Sequence, residues 1–139
     1  MKRSRAACTA LLLATVALGL ASRRFGAALP EVLARYGGDV LWAAMVVWLV
    51  VLVRPGAATV RAVLAAFGIA VTVELSQLVR VPWLESLRGT RPGALLLGQG
   101  FLWSDLACYA IGVTIAGLLD WRLFRFEGAA ISHGTAGHR

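Results

Sequence analysis

The sequence predicts an all-α integral membrane protein, a bundle of four transmembrane helices whose third and fourth spans are joined by a long loop. Its composition is the first indication, since 59% of the 139 residues are hydrophobic, only 15% are charged and the mean hydropathy is +0.75. A soluble domain carries about 25% charged residues, and so short a chain cannot bury this much apolar surface. The second indication is that the apolar residues form four runs with basic or turn-forming residues at their ends.

The net charge of +7 does not indicate nucleic-acid binding. A nucleic-acid-binding surface gathers basic residues on one face of the fold. Here they stand singly or in pairs beside the apolar runs, where membrane proteins place the residues that flank their spans. We therefore predict no nucleic-acid partner.

The first apolar run, 6–21, has two interpretations. Its basic start and small residues at its end are typical of a cleaved signal peptide. Against cleavage, Arg23 and Arg24 follow directly and further apolar runs come after. We favour a retained first span, with the arginines reaching out to the membrane surface.

Three further runs predict the remaining spans, 40–53, 60–79 and 101–119. Before the second span we expect a short helix in the membrane interface, ended by Gly37 and Gly38. A single membrane domain would cover 1–126. The polar, non-periodic tail 127–139 is predicted to be disordered.

The connection 80–100 is the longest in the chain. Loops of such length are often functional, and those of membrane proteins can re-enter the bilayer. A re-entrant loop is therefore one expectation for this segment.

Glu74 and Gln77 lie three residues apart inside the third run. A carboxylate within a span is costly, and it marks a functional site by default. With four spans, the end of the first, the start of the second, the end of the third and the start of the fourth share one membrane face. We predict a polar pocket there, formed by Arg23, Arg24, Asp39, Glu74, Gln77, Arg88, Arg91, Asp105 and Tyr109.

This set of residues allows three kinds of chemistry. Glu74 and Asp105, at similar depth, could share a proton as close carboxylates do, or each could pair with an arginine. Arginines in excess would attract a phosphate or carboxylate headgroup. The alternative is a salt-bridge network that fixes helix register and anchors the loop. A row of small residues on the fourth span, Cys108, Gly112 and Ala116, predicts close helix packing.

No metal, cofactor or nucleophile site is predicted. Cys8 and Cys108 have no neighbours at metal-ligand spacing, and in the predicted topology they fall near opposite faces of the bilayer, too far apart to form a disulfide. Both histidines, His133 and His138, lie in the tail, so no serine or cysteine has a histidine base. The glycines at 89 and 93 lack the lysine and the spacing of a phosphate loop.

Two resemblances to known families rest on sequence strings. VELSQL, a loop arginine and SDLACYAIG resemble the VanZ-like family of small bacterial membrane proteins. The longer set ASRRF, GDVLWA, RGTRPG and LLLGQGFLWSDL, within 20–119, is more closely similar to an uncharacterised family known only as a domain of unknown function. The VanZ-like resemblance implies a site at Glu74, Gln77, Arg88 or Arg91, and Asp105, with no agreed activity. Tyr109 stands where that family often has Asn.

Three functions follow as hypotheses. The first is a non-enzymatic protein of the bacterial cytoplasmic membrane that binds an anionic, amphiphilic envelope component, such as a lipid headgroup or lipid-linked precursor, at the outer face. The second is an intramembrane enzyme or proton-coupled carrier that uses Glu74 and Asp105. The third is a purely structural assembly protein. A weak excess of Lys and Arg favours both termini inside, whereas the oligomeric state does not follow from the sequence.

Overall fold

The fold is all-α, as predicted. The computed structural model describes residues 3–98 and 100–132, with side chains as far as Phe124. No β-strand occurs in these ranges. The elements are α1 (Arg5–Arg24), a 3₁₀ turn (Gly26–Ala28), α2 (Glu31–Val53), α3 (Thr59–Ser76), α4 (Pro82–Arg88), α5 (Arg91–Leu97) and α6 (Trp103–Ser132).

Four of these helices are long and apolar enough to cross a membrane. They are α1, α2, α3 and the Trp103–Phe124 part of α6, each 18 to 23 residues long. A helix of about 20 residues matches the hydrocarbon thickness of a bilayer. The prediction of four candidate spans is therefore confirmed.

Helix α2 lies at the centre of the bundle and packs against α1, α3 and α6. Its buried residues include Val47, Trp48 and Val51. Large apolar side chains such as Leu13, Leu64 and Leu118 point outward, which suits a surface that meets lipid. The core is thus built around α2. The bundle has apolar side chains both in its interior and on its outer surface.

Small residues allow α6 to pack closely on α2. Cys108, Gly112 and Ala116 are all buried, and a Cβ on Gly112 would meet the carbonyl oxygen of Val40 and lie 3.0 Å from the Cβ of Ala43. The predicted small-residue row thus lies where α6 packs on α2.

Helix α2 begins earlier than the sequence indicated. The expected interfacial helix and the second span form one helix from Glu31, and Gly37 and Gly38 do not end it. A helical glycine costs only about 1 kcal/mol relative to alanine. Gly38 also makes room for a side chain of α1, because a Cβ there would lie 3.2 Å from Nε of Arg23.

The segment between the third and fourth spans folds as two short helices, α4 and α5, that pack on each other. Helix α3 ends at Ser76, three residues before the predicted end of its span. Helix α6 continues to Ser132, six residues into the tail for which no regular structure was expected, and no proline interrupts it. Residues 133–139, with His133 and His138, lie outside the described residues.

Candidate functional site

Glu74 is fully buried at the end of α3. It continues a stripe of buried alanines spaced four residues apart, Ala62, Ala66 and Ala70, so the helix turns its carboxylate toward the interior of the bundle. The stripe brings α3 close to its neighbours without bulky side chains. The fold therefore places one carboxylate where water does not reach it.

Three donors of the protein hold this carboxylate. The side-chain amide of Gln77 donates to Oε2 at 2.9 Å, and the Tyr109 hydroxyl donates to the same oxygen at 3.0 Å. The backbone N–H of Leu102 donates to Oε1 at 2.8 Å. Because Leu102 directly precedes α6, the carboxylate also faces the positive end of that helix dipole.

Gln77 extends the same network to the chain before α6. Its Oε1 accepts the backbone N–H of Gly100 at 2.8 Å, while its amide nitrogen donates to Glu74. Gly98 has φ +68°, which disfavours any residue with a Cβ, and a Cβ there would also meet the Gln77 amide. Glu74 and Gln77 together therefore bind the segment 100–102 to the end of α3.

Arg88 caps the end of α3 from the loop side. It is buried and donates to the Ser76 carbonyl at 2.6 Å, the Ser76 hydroxyl at 3.1 Å and the Val79 carbonyl at 3.2 Å. The last carbonyls of a helix have no partner within it, so a guanidinium stabilises them.

A polar cavity of about 300 Å³ lies beside this network. Its polar lining comes from α1, α2, α6 and the residue that follows α3, and consists of Arg23, Asp39, Trp42, Gln77, Asp105 and Tyr109. Residues 94–98 of α5 and the chain after it form another part of the wall. Arg23 Nη2 lies 3.5 Å from Asp39 Oδ1, and the rings of Trp42 and Tyr109 are 5.3 Å apart.

An apolar groove of about 310 Å³ adjoins the cavity. It runs between α1, α2 and α5, from Arg23 to Thr15, which is roughly 12 Å along α1 at helical rise. Four residues line both the groove and the cavity: Arg23, Trp42, Leu95 and Leu96. The two spaces are therefore neighbours, one polar and one apolar, with an arginine where they meet.

The structure gathers part of the predicted pocket and separates the rest. Five of the nine residues line the cavity: Arg23, Asp39, Gln77, Asp105 and Tyr109. Glu74 lies behind them, bonded to two. Arg88 caps α3, whereas Arg24 and Arg91 are exposed and line neither space.

The expected partner of Glu74 was Asp105 or a loop arginine. No hydrogen bond or ion pair joins Glu74 to either within the described part of the chain. Glu74 instead accepts hydrogen bonds from three neutral groups: the Tyr109 hydroxyl, the Gln77 side-chain amide and the Leu102 backbone amide. Asp105 instead accepts the Ser104 hydroxyl at 3.1 Å.

A second buried polar cluster lies at the opposite end of the bundle, and sequence reasoning missed it. Arg3 forms a bidentate pair with Asp120, Nε to Oδ1 at 2.7 Å and Nη2 to Oδ2 at 2.6 Å. The Thr59 hydroxyl donates to Oδ2 at 2.6 Å, and Arg3 also donates to the carbonyls of Pro55 and Ala57. Both side chains of the pair are fully buried.

A helical spacing would have revealed Asp120. Tyr109, Val113, Ala116 and Asp120 are separated by four, three and four residues, and all four are buried. They form one face of α6. The fourth span was predicted to end at residue 119, so Asp120, followed by Trp121 and Arg122, was placed outside it and not on its buried face.

Comparison with known proteins gives one match to a family. No solved structure matches the chain significantly. Residues 28–113, more than half of the chain, match the family described as "Protein of unknown function (DUF2809)". This confirms the predicted resemblance to a domain of unknown function, and it covers α2, α3, the loop helices and the start of α6. The chain therefore belongs to the DUF2809 family of proteins of unknown function.

Proposed function

We propose that this protein binds a membrane amphiphile, with the polar head in the cavity and the acyl tail in the groove. The observation that carries the proposal is the shared lining of the two spaces, Arg23, Trp42, Leu95 and Leu96. A lipid has the same order of parts, a polar head joined to an apolar tail. The two volumes together lie within the range of about 300–1,000 Å³ that is usual for ligand sites.

The position of the cavity supports the same assignment. It lies where α1 and α3 end and α6 begins, beside the α4–α5 loop, so it is at the level of lipid headgroups if these helices span. The groove descends along α1 toward the bilayer core. A lipid would therefore meet both spaces without leaving the membrane.

Trp42 adds a hydrogen-bond donor at the junction. Its indole N–H is buried and has no acceptor among the described residues. A buried donor without an acceptor costs about 1–3 kcal/mol. A phosphate or ester oxygen of a lipid bound at the junction would supply an acceptor.

Sequence features support the cellular setting of the proposal. The resemblance to the VanZ-like family and the weak excess of Lys and Arg on one side favour a bacterial cytoplasmic membrane with both termini inside. In that orientation the cavity opens at the outer face. The amphiphile would then be a component of the cell envelope, either a lipid or a lipid-linked precursor.

Glu74 supports the site and does not contact the ligand. Its carboxylate is already held by three protein donors, and it does not line the cavity. This favours a binding protein over a carrier or enzyme that passes protons between Glu74 and Asp105. We assign Glu74 as a positioning residue for Gln77 and Tyr109, which do line the cavity.

A purely structural role is the second candidate function. The contacts of Glu74, Gln77 and Arg88 favour it, because they bind the loop and the start of α6 to the end of α3. If structure were the only role, filling the groove would change no binding. Lipid retention therefore separates the two candidates.

Filling the groove should reduce the lipid that stays bound. Thr15→Phe places a ring in the groove, whereas Leu13→Phe places the same ring on the exposed face of α1 two residues away. Native mass spectrometry of protein released from detergent would count the bound lipids. We expect fewer lipid adducts for Thr15→Phe and a wild-type number for Leu13→Phe.

A second pair of variants tests the polar half of the site. Arg23→Gln removes the guanidinium at the junction, and Arg24→Gln removes an exposed charge outside it. The number of bound lipids should fall for Arg23→Gln and stay at the wild-type value for Arg24→Gln. Equal adduct numbers in all four variants would refute the proposed function.

A further inference from the structure

The charges that line the cavity do not balance. Two carboxylates, Asp39 and Asp105, face one guanidinium, Arg23. Arg23 lies 3.5 Å from Asp39. Asp105 accepts only the Ser104 hydroxyl and forms no ion pair in the described part of the chain. One partly buried carboxylate in the cavity is therefore not neutralised by any cation of the described residues.

The remaining arginines of the predicted pocket do not change this balance. Arg24 and Arg91 are exposed and line neither space, and Arg88 caps α3. The buried carboxylate of Glu74 behind the wall adds further negative charge. A headgroup that is only anionic would enter against this field. A ligand that carries a cationic group beside its anionic group would fit these charges better than the purely anionic ligand expected from the sequence.

The order of the groups gives a more specific ligand. Arg23 lines both the groove and the cavity, whereas Asp39 and Asp105 line the cavity alone. Starting from the tail, a ligand would first meet the guanidinium and then the carboxylates. Guanidinium groups bind phosphate well, and carboxylates bind protonated amines.

We infer that the amphiphile is a zwitterionic phospholipid, with its phosphate at Arg23 and a protonated primary amine at Asp105 and Asp39. This inference rests on the proposed function and specifies its headgroup class, that of phosphatidylethanolamine. The indole N–H of Trp42, at the junction, can donate to the phosphate or to an ester oxygen.

A primary amine fits the cavity better than a trimethylammonium group. The carboxylate oxygens of Asp39 and Asp105 are hydrogen-bond acceptors, and only an amine with N–H bonds can donate to them. The aromatic rings of Trp42 and Tyr109 also line the cavity, but aromatic rings attract either cation. The carboxylate oxygens of Asp39 and Asp105 therefore favour the primary amine over the trimethylammonium group.

The test compares headgroups at constant acyl chains. Purified full-length protein is titrated with short-chain phosphatidylethanolamine, phosphatidylcholine, phosphatidylglycerol and phosphatidic acid, and adducts are quantified by native mass spectrometry. We expect the Kd of phosphatidylethanolamine to be roughly tenfold lower than that of phosphatidylglycerol, which corresponds to about 1.4 kcal/mol of binding free energy. Phosphatidylcholine should bind more weakly than phosphatidylethanolamine.

Asp105→Asn keeps the shape of the side chain and removes its charge, so the preference should fall to near parity. Glu31→Gln removes an exposed carboxylate that does not line the cavity, and it should keep the preference. If Asp105→Asn does not fold, the wild-type headgroup series decides, with Asp39→Asn as the second variant.

The outcomes separate this inference from the proposed function. Binding of no lipid at all would refute the proposed function itself. Tight binding of all four lipids with no headgroup preference, or a preference for phosphatidylglycerol, would overturn only the zwitterionic headgroup. Phosphatidylcholine as tight as phosphatidylethanolamine would overturn the primary amine.

Discussion

Replacing Arg3 with alanine is expected to lower the free energy of unfolding by about 3–5 kcal/mol, the cost of leaving a buried charge without its partner. The substitution would leave the fully buried Asp120 with only the Thr59 hydroxyl. It would also remove the donor to the carbonyls of Pro55 and Ala57. One guanidinium therefore connects the start of α1, the α2–α3 turn and α6. Thermal unfolding in detergent would measure the loss.

Arg5→Ala is the matched control for Arg3→Ala. Arg5 is two residues away and exposed, so its removal should change stability little. The double variant Arg3→Ala, Asp120→Ala should be less destabilised than the sum of the single variants, because no unpaired charge remains. An Arg3→Ala protein as stable as Arg5→Ala would show that the pair does not hold the bundle together.

Substitution of Glu74 by glutamine is expected to destabilise the fold despite the similar shape. Glutamine offers one acceptor oxygen where the carboxylate oxygens accept from Gln77, Leu102 and Tyr109. Rotation of the Tyr109 hydroxyl can relieve one conflict. Reversal of the Gln77 amide would relieve another but would cost its bond from Gly100. At least one donor, the backbone N–H of Leu102 or of Gly100, then loses its acceptor; both bonds are only partly buried, so the cost should be about 1 kcal/mol.

The unfolding midpoint of Glu74→Gln in detergent, compared with that of Glu85→Gln, measures this effect. Glu85 is an exposed glutamate on α4, so its substitution controls for the loss of one charge. Tyr109→Phe removes a single hydrogen bond and should cost about 1 kcal/mol. A midpoint of Glu74→Gln equal to that of Glu85→Gln would mean that the network contributes nothing to stability.

The class of fold was predictable because it depends on composition and on the length of the apolar runs. Lipid as solvent requires helices with apolar outer surfaces, and the four candidate spans follow from that requirement. The expected break at Gly37 and Gly38 was wrong, because a glycine inside a helix costs only about 1 kcal/mol and packing can offset it. Only Gly38 has a close neighbour, the Arg23 side chain, whereas a Cβ at Gly37 would meet nothing within 4 Å.

The candidate site was predictable as a place and less so as a set of contacts. Topology alone brings the ends of α1 and α3 to the starts of α2 and α6, so Arg23, Asp39, Gln77, Asp105 and Tyr109 meet at one cavity. Which donor reaches Glu74 depends on the path of the chain through Gly98 and Gly100, and no local pattern shows that path. Arg88 and Arg91 were assigned to the pocket only because their charge is opposite to that of the carboxylates. In the structure Arg88 instead caps the end of α3.

The division of roles between Glu74 and the cavity follows from burial. A carboxylate enclosed by three protein donors stabilises the walls of the site, and the carboxylate of Asp105, on the cavity side, remains available. Glu74→Gln should therefore lower stability and also disturb the positions of Gln77 and Tyr109, whereas Asp105→Asn should change ligand binding with little loss of stability.

We propose that the cavity and the groove form one lipid site, and photolabelling locates such a site directly. A phospholipid with a diazirine in its acyl chain is added at low ratio to the purified protein, irradiated, and the labelled residues are mapped with and without excess unlabelled lipid. We expect labelling of the groove, at Thr15, Val16, Gly19, Leu95 or Leu96, that excess unlabelled lipid suppresses. Labelling spread over outward-facing residues such as Leu13, Leu64 and Leu118, and unaffected by the competitor, would refute a single lipid site.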